Sequence, residues 1–472
     1  MTYSRVIDVS QFNLPGFTSV EFTFIDPLYV WITRCNELLR RGETLHWRPQ
    51  TLHHPDSGEE LHGGGIQYSK ILRAAYTSVT ANIALINLNW DGGNLGFGSR
   101  SSKPVHVQVM NTNSMSLHAV GLIAYIPKLD VPAADCSHQN YVDANNHVLQ
   151  SCIGHILDSI EARAKYGFKC EMNGETIHFF ARLGAMALDT PERVKYFGLR
   201  NMSSCGMCRK RFGRSNARVA TFHDPDHIER LYSIACRKNA RGRRQLRLRK
   251  RARDKLHRHG LDFKKRCRVT KHADAALVRI DCFGERLFGG LCRYERMHVY
   301  FINYCTHVME LLLKSVSKTQ FGLVTAVVKQ CHQFRDPQTG VTHPRLPNLL
   351  NMTHLTAERR VRAMFYWAHA LGLRADVIAD VTIRNAAQRA VSMLQVILIA
   401  VRGKRSYTSA ELEVIFKEVG TQLFLALEFI ASHHEQKRYQ KKRNDYLRDP
   451  AKHKEPVMFT KQQRFIETLL VL

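Results

Sequence analysis

The strongest strand signal in the chain is Ile83-Ala-Leu-Ile-Asn-Leu-Asn-Trp90, followed by Pro104-Val-His-Val-Gln-Val-Met110 and Ser116-Leu-His-Ala-Val-Gly-Leu-Ile-Ala-Tyr-Ile-Pro127. Each piece is a short apolar run with β-branched residues, and glycines and serines fill the first gap. This pattern predicts three successive strands of a meander. Asp91 stands where the first strand enters its glycine-rich turn. It could cap that turn, or the sheet could hold it toward a ligand or metal.

A helix and a fourth strand follow the meander. Residues 145–166 carry apolar side chains at helical spacing, and the apolar run from Thr176 to Leu188 predicts a strand that ends at Asp189. This order of elements resembles the RNase H-like core, an α/β fold in which the first and fourth strands lie side by side in a mixed sheet. Asp91 and Asp189 could therefore meet at one end of the sheet. For Asp189 alone, a helix N-cap is the simpler explanation.

The same residues resemble the first and second catalytic blocks of Plavaka-type and CACTA-type DDE transposases. The first block is matched by Asp91-Gly-Gly, Pro104, Asn111 and Ile123-Ala-Tyr-Ile-Pro127, and the second by Leu188-Asp189-Thr-Pro-Glu192. Upstream, Asp26-Pro27 with Trp31 and Trp47-Arg-Pro49 are similar to shorter motifs of the family. The resemblance extends over roughly residues 20–440. Because the family usually carries further domains at one or both ends, it also implies a fragment or a decayed copy.

The resemblance implies a set of catalytic residues. Asp91 and Asp189 would be the first two acids, and Leu355-Thr-Ala-Glu358 matches the helix that carries the third. The family also has an Asp-x-x-His signature, which is matched here by Glu295 and His298, with Glu in place of Asp. Whether Asp189 or Glu295 is the second acid stays open. Without the family, Glu358 would be explained by the helix dipole, and Glu295 with His298 by a contact on one helix face.

Three converging carboxylates imply bound divalent cations, because they cannot all stay ionised cheaply without them. Oxygen ligands favour Mg²⁺ or Mn²⁺. The function implied is DNA cleavage and joining by two-metal phosphodiester chemistry. DNA would be the partner, with self-association, and the nucleus the location. A non-catalytic zinc-knuckle DNA-binding protein derived from a transposase is the alternative, and a basic RNA-processing nuclease of the same fold is a third hypothesis.

A second metal site is predicted after the fourth strand. Cys205-Gly-Met-Cys208 has the spacing of a zinc knuckle, and His223-Asp-Pro-Asp-His227 follows it. Cys-x2-Cys with His-x3-His resembles the ligand spacing of a structural Zn²⁺ site. The two cysteines are the stronger half of this prediction. Other ligands within reach along the chain leave the third and fourth positions open: Cys236, His257, His259, Cys267 and His272.

The segment after the knuckle is strongly basic. From Arg237 to Arg268 there are sixteen Lys or Arg residues against two Asp. Such density neutralises phosphates with little sequence preference, although a nuclear localisation signal or a solvated face would look similar. The residues predicted to contact nucleic acid are Arg243, Arg244, Arg247, Arg249, Lys250, Arg251 and Arg253.

Composition supports a polyanionic partner. The 472 residues include 69 Lys and Arg against 41 Asp and Glu, a formal net charge of +28, which is typical of nucleic-acid-binding proteins. No apolar run is long enough to predict a membrane span, and the N-terminus lacks the apolar core of a secretion signal. The twelve scattered cysteines indicate reduced thiols and a metal site rather than a disulfide framework.

The expected architecture is an RNase H-like mixed α/β sheet with a zinc-binding basic insertion and a C-terminal helical region. Long periodic segments at Val381–Val401 and Ser409–Ser432 predict the last region, and a basic, exposed tail follows at Gln436–Lys454. The predicted divisions are residues 1–80 as a flanking segment, 81–199 as the first part of the core, 200–275 as the insertion, 276–375 as the helical second part of the core, and 376–472 as the helical bundle and tail.

Overall fold

The computed structural model consists of two compact units, each described by itself. Described residues up to Arg258 form the first unit, and those from Phe301 onward form the second. The structure describes residues 1–90, 93–94, 101–114, 116–129, 131, 137–188, 192, 195–196, 225–235, 242–258, 301, 304–331, 356–401 and 405–449.

An eight-stranded mixed sheet forms the centre of the first unit. Its order is β1-β2-β8-β7-β5-β10-β9, and the short β6 pairs with β7. A separate antiparallel pair is formed by β3 and β4. The bounds are Thr2–Asp8 for β1, Ser19–Ile25 for β2, Leu52–His53 for β3, Glu60–Gly63 for β4, Asn82–Trp90 for β5, Gly93–Asn94 for β6, Ser101–Val109 for β7, Val120–Ile126 for β8, Phe168–Met172 for β9 and Glu175–Ala187 for β10.

The predicted meander and fourth strand are present. The β5, β7 and β8 strands pair antiparallel in succession, and β10 lies parallel to β5 on its other side. A long helix, α3 (His138–Tyr166), makes the crossover between β8 and β10. It begins seven residues before the predicted Asn145, because Ser137 caps it through a bond from the Asn140 amide. The third strand starts at Val120, since Leu117–Ala119 form a 3₁₀ turn.

Helices cover both faces of the sheet. The apolar side chains of α1 (Pro27–Arg40) and α3 share one core with β5 residues Ala84, Ile86, Leu88 and Trp90. The short helix α2 (Lys70–Thr77) packs on the opposite face against Ile83 and Leu85. Alternating residues of β5 thus belong to different faces, as the period of a strand requires.

A β-bulge interrupts β10 at Gly184. The register between β10 and β5 shifts between Leu183 and Ala185. A Cβ on Gly184 would lie 2.8 Å from Met110 Sδ and 3.0 Å from Leu85 Cγ, so the close packing of this site requires glycine. The bulge also changes which residues face the α1 and α3 side: before it they are Phe179, Ala181 and Leu183, and after it they are Met186 and Leu188.

Two motif residues near the N-terminus have structural roles. Asp26 is almost fully buried and caps α1 by accepting from the Leu28 amide at 2.9 Å. Its other oxygen accepts from Arg163 Nη2 of α3 at 2.8 Å, which ties the two helices together. Trp31 is buried in an aromatic cluster with Trp47 and Phe179.

The remaining helices include two in the first unit, α4 (Pro225–Ala235) and α5 (Arg243–Arg258). The second unit contains α6 (Cys305–Ser315), α7 (Lys318–Cys331), α8 (Ala357–Leu373), α9 (Val381–Val401), α10 (Ser409–Glu413) and α11 (Gly420–Arg448), with a π-helical turn at Val414–Val419 and a short strand at Ser406–Thr408. The 3₁₀ turns not yet named are Ser10–Phe12, Ile66–Tyr68 and Ala375–Val377. Among the described helices, none combines the length and apolar character that crossing a membrane would need.

Candidate active site and nucleic-acid interface

Two neighbouring strand ends define the candidate active site. The β5 strand ends at Trp90 and the parallel β10 strand at Ala187, and Ala187 is in register with Asn89. Their carboxyl ends therefore reach the same edge of the sheet. In open α/β sheets, ligands bind outside the carboxyl ends of the strands. They bind at the point where successive connections leave a strand toward opposite sides of the sheet. Asp91 follows Trp90 directly, Asp189 stands two residues after Ala187, and both acids lie outside the described residues.

The sheet face covered by α2 becomes polar toward these strand ends. Buried Asn87 spans three strands: its Nδ2 donates to Gln108 Oε1 of β7 at 2.9 Å, and its Oδ1 accepts from the Ala187 amide of β10 at 3.2 Å. Asn89 follows on the same face, opposite His106 of β7. Buried polar groups need such partners. Asn87 therefore fixes the spacing of the strands from which the predicted acids follow.

The half-buried His106 was missed by the sequence reasoning. Burial lowers the pKa of His106 below the ordinary histidine value of 6.5, which favours the neutral ring at physiological pH. A neutral imidazole can accept a proton or a hydrogen bond. Its signal in the sequence is the alternation of Val105, Val107 and Val109 with polar residues, which places His106 and Gln108 on one face.

A buried ion pair anchors the segment after β10. Glu192, three residues beyond Asp189, is almost fully buried and accepts two bonds from Lys103 Nζ, at 2.9 and 3.0 Å. Burial alone would raise the pKa of Glu192, but the ammonium groups of Lys103 and Lys195 outweigh it and lower that pKa. Glu192 is thus tied to Lys103 near the start of β7, and β7 is the strand next to β5.

The third predicted acid lies in the second unit. Glu358 is in the first turn of α8, which Thr356 caps as the sequence predicts. Its carboxylate is exposed and pairs with Arg362 one turn later. An exposed pair of this kind contributes little stability, so Glu358 is accessible to another partner. Glu295 and His298 lie outside the described residues.

One of the four leading zinc ligands can be placed. His227 lies in the first turn of α4 and is half-buried, whereas Cys205, Cys208 and His223 lie outside the described residues. Within the described ranges, no three His, Cys, Asp or Glu side chains are arranged to hold a metal ion.

The basic stretch forms most of α5, which packs against α4. Ala252 and Leu256 of α5 are buried, as are Leu231, Tyr232 and Ala235 of α4. This apolar contact leaves the opposite face of α5 in solvent.

The predicted nucleic-acid-binding residues of α5 fall into two groups. Arg249 and Arg253 are half-buried, and their Nε atoms donate to the carbonyl oxygen of Ala235, at 3.2 and 3.3 Å. They therefore satisfy the C-terminal end of α4. Arg244, Arg247, Lys250 and Arg251 are exposed, and the side chain of Arg243 lies outside the described part. The exposed group is the basic face of α5.

Comparison with known proteins supports the family resemblance. Residues 104–262 match the family model for Plavaka transposase. The matched range includes Asp189, the knuckle cysteines and α5. It confirms the resemblance to Plavaka transposases for this part of the chain. No curated protein matches the chain significantly.

Proposed function

We propose that this chain, with its match to Plavaka transposases, is a DDE-type transposase with an RNase H-like core that cleaves and joins DNA. The observation that carries the proposal is the parallel pairing of β5 and β10, the two strands that lead into Asp91 and Asp189. The strand order β8-β7-β5-β10, with α3 as the crossover, fits the core that the sequence predicts. We infer the catalytic activity from this strand arrangement and from the family match.

The bulge at Gly184 supports the pairing of these acids. Along β5 the odd-numbered residues Ile83 and Leu85 pack on the α2 face. In β10 the even-numbered Met186 and Leu188 pack on the α1 and α3 face after the bulge. If both alternations continue by one residue, Asp91 and Asp189 point to the same face. Without the bulge, the odd-numbered residues of β10 would remain on the α1 and α3 face. Asp189 would then point to the opposite face from Asp91.

The proposed donor set suits hard divalent cations. Carboxylate oxygens of Asp91, Asp189 and Glu358 are the ligands that Mg²⁺ and Mn²⁺ prefer. Two such ions would supply Lewis-acid activation of a water or a DNA 3′-hydroxyl and stabilise the leaving oxygen. Asn87 and the Glu192–Lys103 pair fix β5, β7 and β10 to one another, and Asp91 and Asp189 follow two of these strands in the sequence. Preorganisation of this kind is what a catalytic constellation requires.

The proposal is tested with purified protein and a duplex that carries the end of the element. Strand cleavage should occur in Mg²⁺ or Mn²⁺ and be absent in EDTA. A protein that binds this duplex but never cleaves it would support the second candidate, a non-catalytic zinc-knuckle DNA-binding descendant. The observation that favours this candidate is Glu295, which stands where the family has Asp and is longer by one methylene.

We also propose a structural Zn²⁺ held by Cys205 and Cys208, with His223 and His227 as the leading partners. The position of His227 at the start of α4 would place the ion beside the α4–α5 pair. Zinc would then order the segment that presents the basic face.

Metal content should change when the knuckle is removed. Purified wild-type protein is expected to contain about one zinc per chain, and Cys205→Ser with Cys208→Ser should lose it, because both thiolates are ligands. Inductively coupled plasma mass spectrometry measures the content. Cys170→Ser, at a half-buried cysteine of β9, is the matched control and should keep its zinc. Equal zinc in the double variant and wild type would place the ion elsewhere.

The two groups of basic residues on α5 should respond differently to substitution. Gln at Arg244, Arg247, Lys250 and Arg251 is expected to weaken DNA binding for all sequences and to reduce the salt slope by about 0.9 per lost phosphate contact. Gln at Arg249 and Arg253 should mainly destabilise the α4–α5 contact, since these residues bond to Ala235. Fluorescence anisotropy over a salt series and thermal unfolding measure the two effects. An unchanged slope in the first variant would make this face a localisation signal or a solvated surface.

A further inference from the structure

The last described helix, α11, changes character along its length. In its first half, buried residues recur at helical spacing: Leu423, Ala426, Leu427, Ile430 and Ala431. They pack against α9, where Leu394, Ile397 and Leu398 are buried. The next turn has one hydrogen bond, because Ser315 Oγ lies 2.9 Å from His434 Nε2, whereas His433 Nε2 lies 3.8 Å from Asp380 Oδ2, beyond hydrogen-bonding distance. The helix is thus firmly anchored up to His434.

Beyond this point the same stripe of the helix is basic. Continuing the spacing of the buried residues leads to five cations, Lys437, Arg438, Lys441, Lys442 and Arg448, and to one acid, Asp445. At about 100° per residue, these five cations fall within about 140° of the helix circumference. All five are exposed. The stripe that buries aliphatic side chains in the first half therefore carries cations in the second, and it cannot pack on an apolar partner without burying unpaired charge.

The charge of this segment is hardly compensated. Residues 436–448 include six Lys or Arg and one acid, Asp445. Among the described residues, no carboxylate forms an ion pair with Lys437, Arg438, Lys441 or Lys442. The sequence predicted an exposed basic tail here. The structure shows a helix, which fixes the cations along one side over about 16 Å, at 1.5 Å per residue.

We propose that the exposed half of α11 is a second DNA-binding surface, which contacts the phosphate backbone of duplex DNA. A row of cations on a rigid helix matches a polyanion with regularly spaced charges. An anionic membrane fits less well, because a helix that lies on a bilayer buries an apolar face. The only exposed aliphatic side chain described in residues 436–448 is Leu447. This inference goes beyond the proposed catalysis and does not depend on it, since it concerns binding alone.

The test uses the full chain with Gln at Lys437, Arg438, Lys441 and Lys442. Binding to a short random-sequence DNA duplex is measured by anisotropy over a salt series. The salt slope should fall by about 0.9 for each lost contact, up to about 3.6 for four. The matched control removes four charges from exposed residues elsewhere, with Gln at Arg5, Arg40, Lys165 and Lys169, and should keep the wild-type slope. Because α5 is intact in both variants, residual binding through its basic face is common to them.

Several outcomes would overturn the proposal. They are an unchanged slope, an equal loss in the control, or a loss confined to an RNA duplex or to phosphatidylserine vesicles while DNA binding persists. Circular dichroism verifies the helix content. If the quadruple variant loses helix, the pair Lys441→Gln and Lys442→Gln is measured instead, with Arg40→Gln and Lys169→Gln as its control, and a reduction of about 1.8 in the slope is expected.

Discussion

Asp91→Asn should abolish metal-dependent strand cleavage and transfer, by on the order of 10³-fold or more, while DNA affinity and folding stay near wild type. The substitution keeps the shape of the side chain but removes one negative charge and one oxygen ligand. If Asp91 holds a divalent cation at the end of β5, the loss acts on catalysis, because cations and not the side chain itself stabilise the charge on phosphorus. The assay is cleavage of an element-end duplex in Mg²⁺ and in Mn²⁺.

The other predicted acids should behave as members of one unit. Asp189→Asn and Glu358→Gln are expected to match Asp91→Asn, and combining them should add little, because residues that act together are not additive. Glu295→Gln decides between the two assignments of the second acid: if it is the more damaging change, Glu295 takes the place of Asp189. Glu175→Gln, at the exposed start of β10, is the neutral control. Cleavage retained in Asp91→Asn would remove the proposed set of three acids.

Asn111→Asp should strongly destabilise the first unit, with a loss of roughly 3–5 kcal/mol of unfolding free energy. Asn111 is completely buried. Its Oδ1 accepts from the Leu85 amide at 2.8 Å, and its Nδ2 donates to the carbonyl oxygens of His46 and Ile83, at 2.8 and 2.9 Å. Asn111 thus acts as a strand partner for β5 where β7 has ended. A carboxylate would face two carbonyl oxygens and lose both donors.

Urea unfolding measures this loss, and two variants make it specific. Asn111→Ala leaves the same three backbone groups without their partner and should cost about 2–4 kcal/mol. Asn140→Asp makes the same chemical change at an exposed position in the first turn of α3, where a negative charge is tolerated, and should be near neutral. A loss below about 1 kcal/mol for Asn111→Asp would show that the neighbouring backbone finds other partners.

Asn111 also shows what the family motif means in this chain. The resemblance included Asn111, Asp26 and Trp31 among its matching residues, beside Asp91. The structure gives the first three structural roles, in a strand extension, a helix cap and an aromatic core. A motif in a sequence does not separate residues kept for chemistry from residues kept for the fold. Here, burial and completed hydrogen bonding make that distinction.

Local patterns in the sequence are enough to locate the main strands and helices of the sheet domain. Short apolar runs with β-branched residues, together with turn residues, located β5, β7, β8 and β10, and helical periodicity located α3 and α9, because these signals depend on neighbours within a few residues. Net charge and the basic run indicated a polyanionic partner. The predicted start of a helix is less accurate where the first turns carry no apolar face. In α3 the helix begins at His138, but its buried side chains begin only at Ala144.

Which side chains act together depends on contacts between elements that are far apart in the sequence. The bulge at Gly184 switches the face to which alternate residues of β10 point, and Gly184 packs closely against Leu85 and Met110, which are distant from it in sequence. Likewise, Arg249 and Arg253 bond to Ala235 while neighbouring arginines remain in solvent, and the stripe of α11 is buried only as far as α9 covers it. Sequence patterns record periodicity along one element. Faces, partners and exposure depend on contacts between elements, and these exist only once the chain has folded.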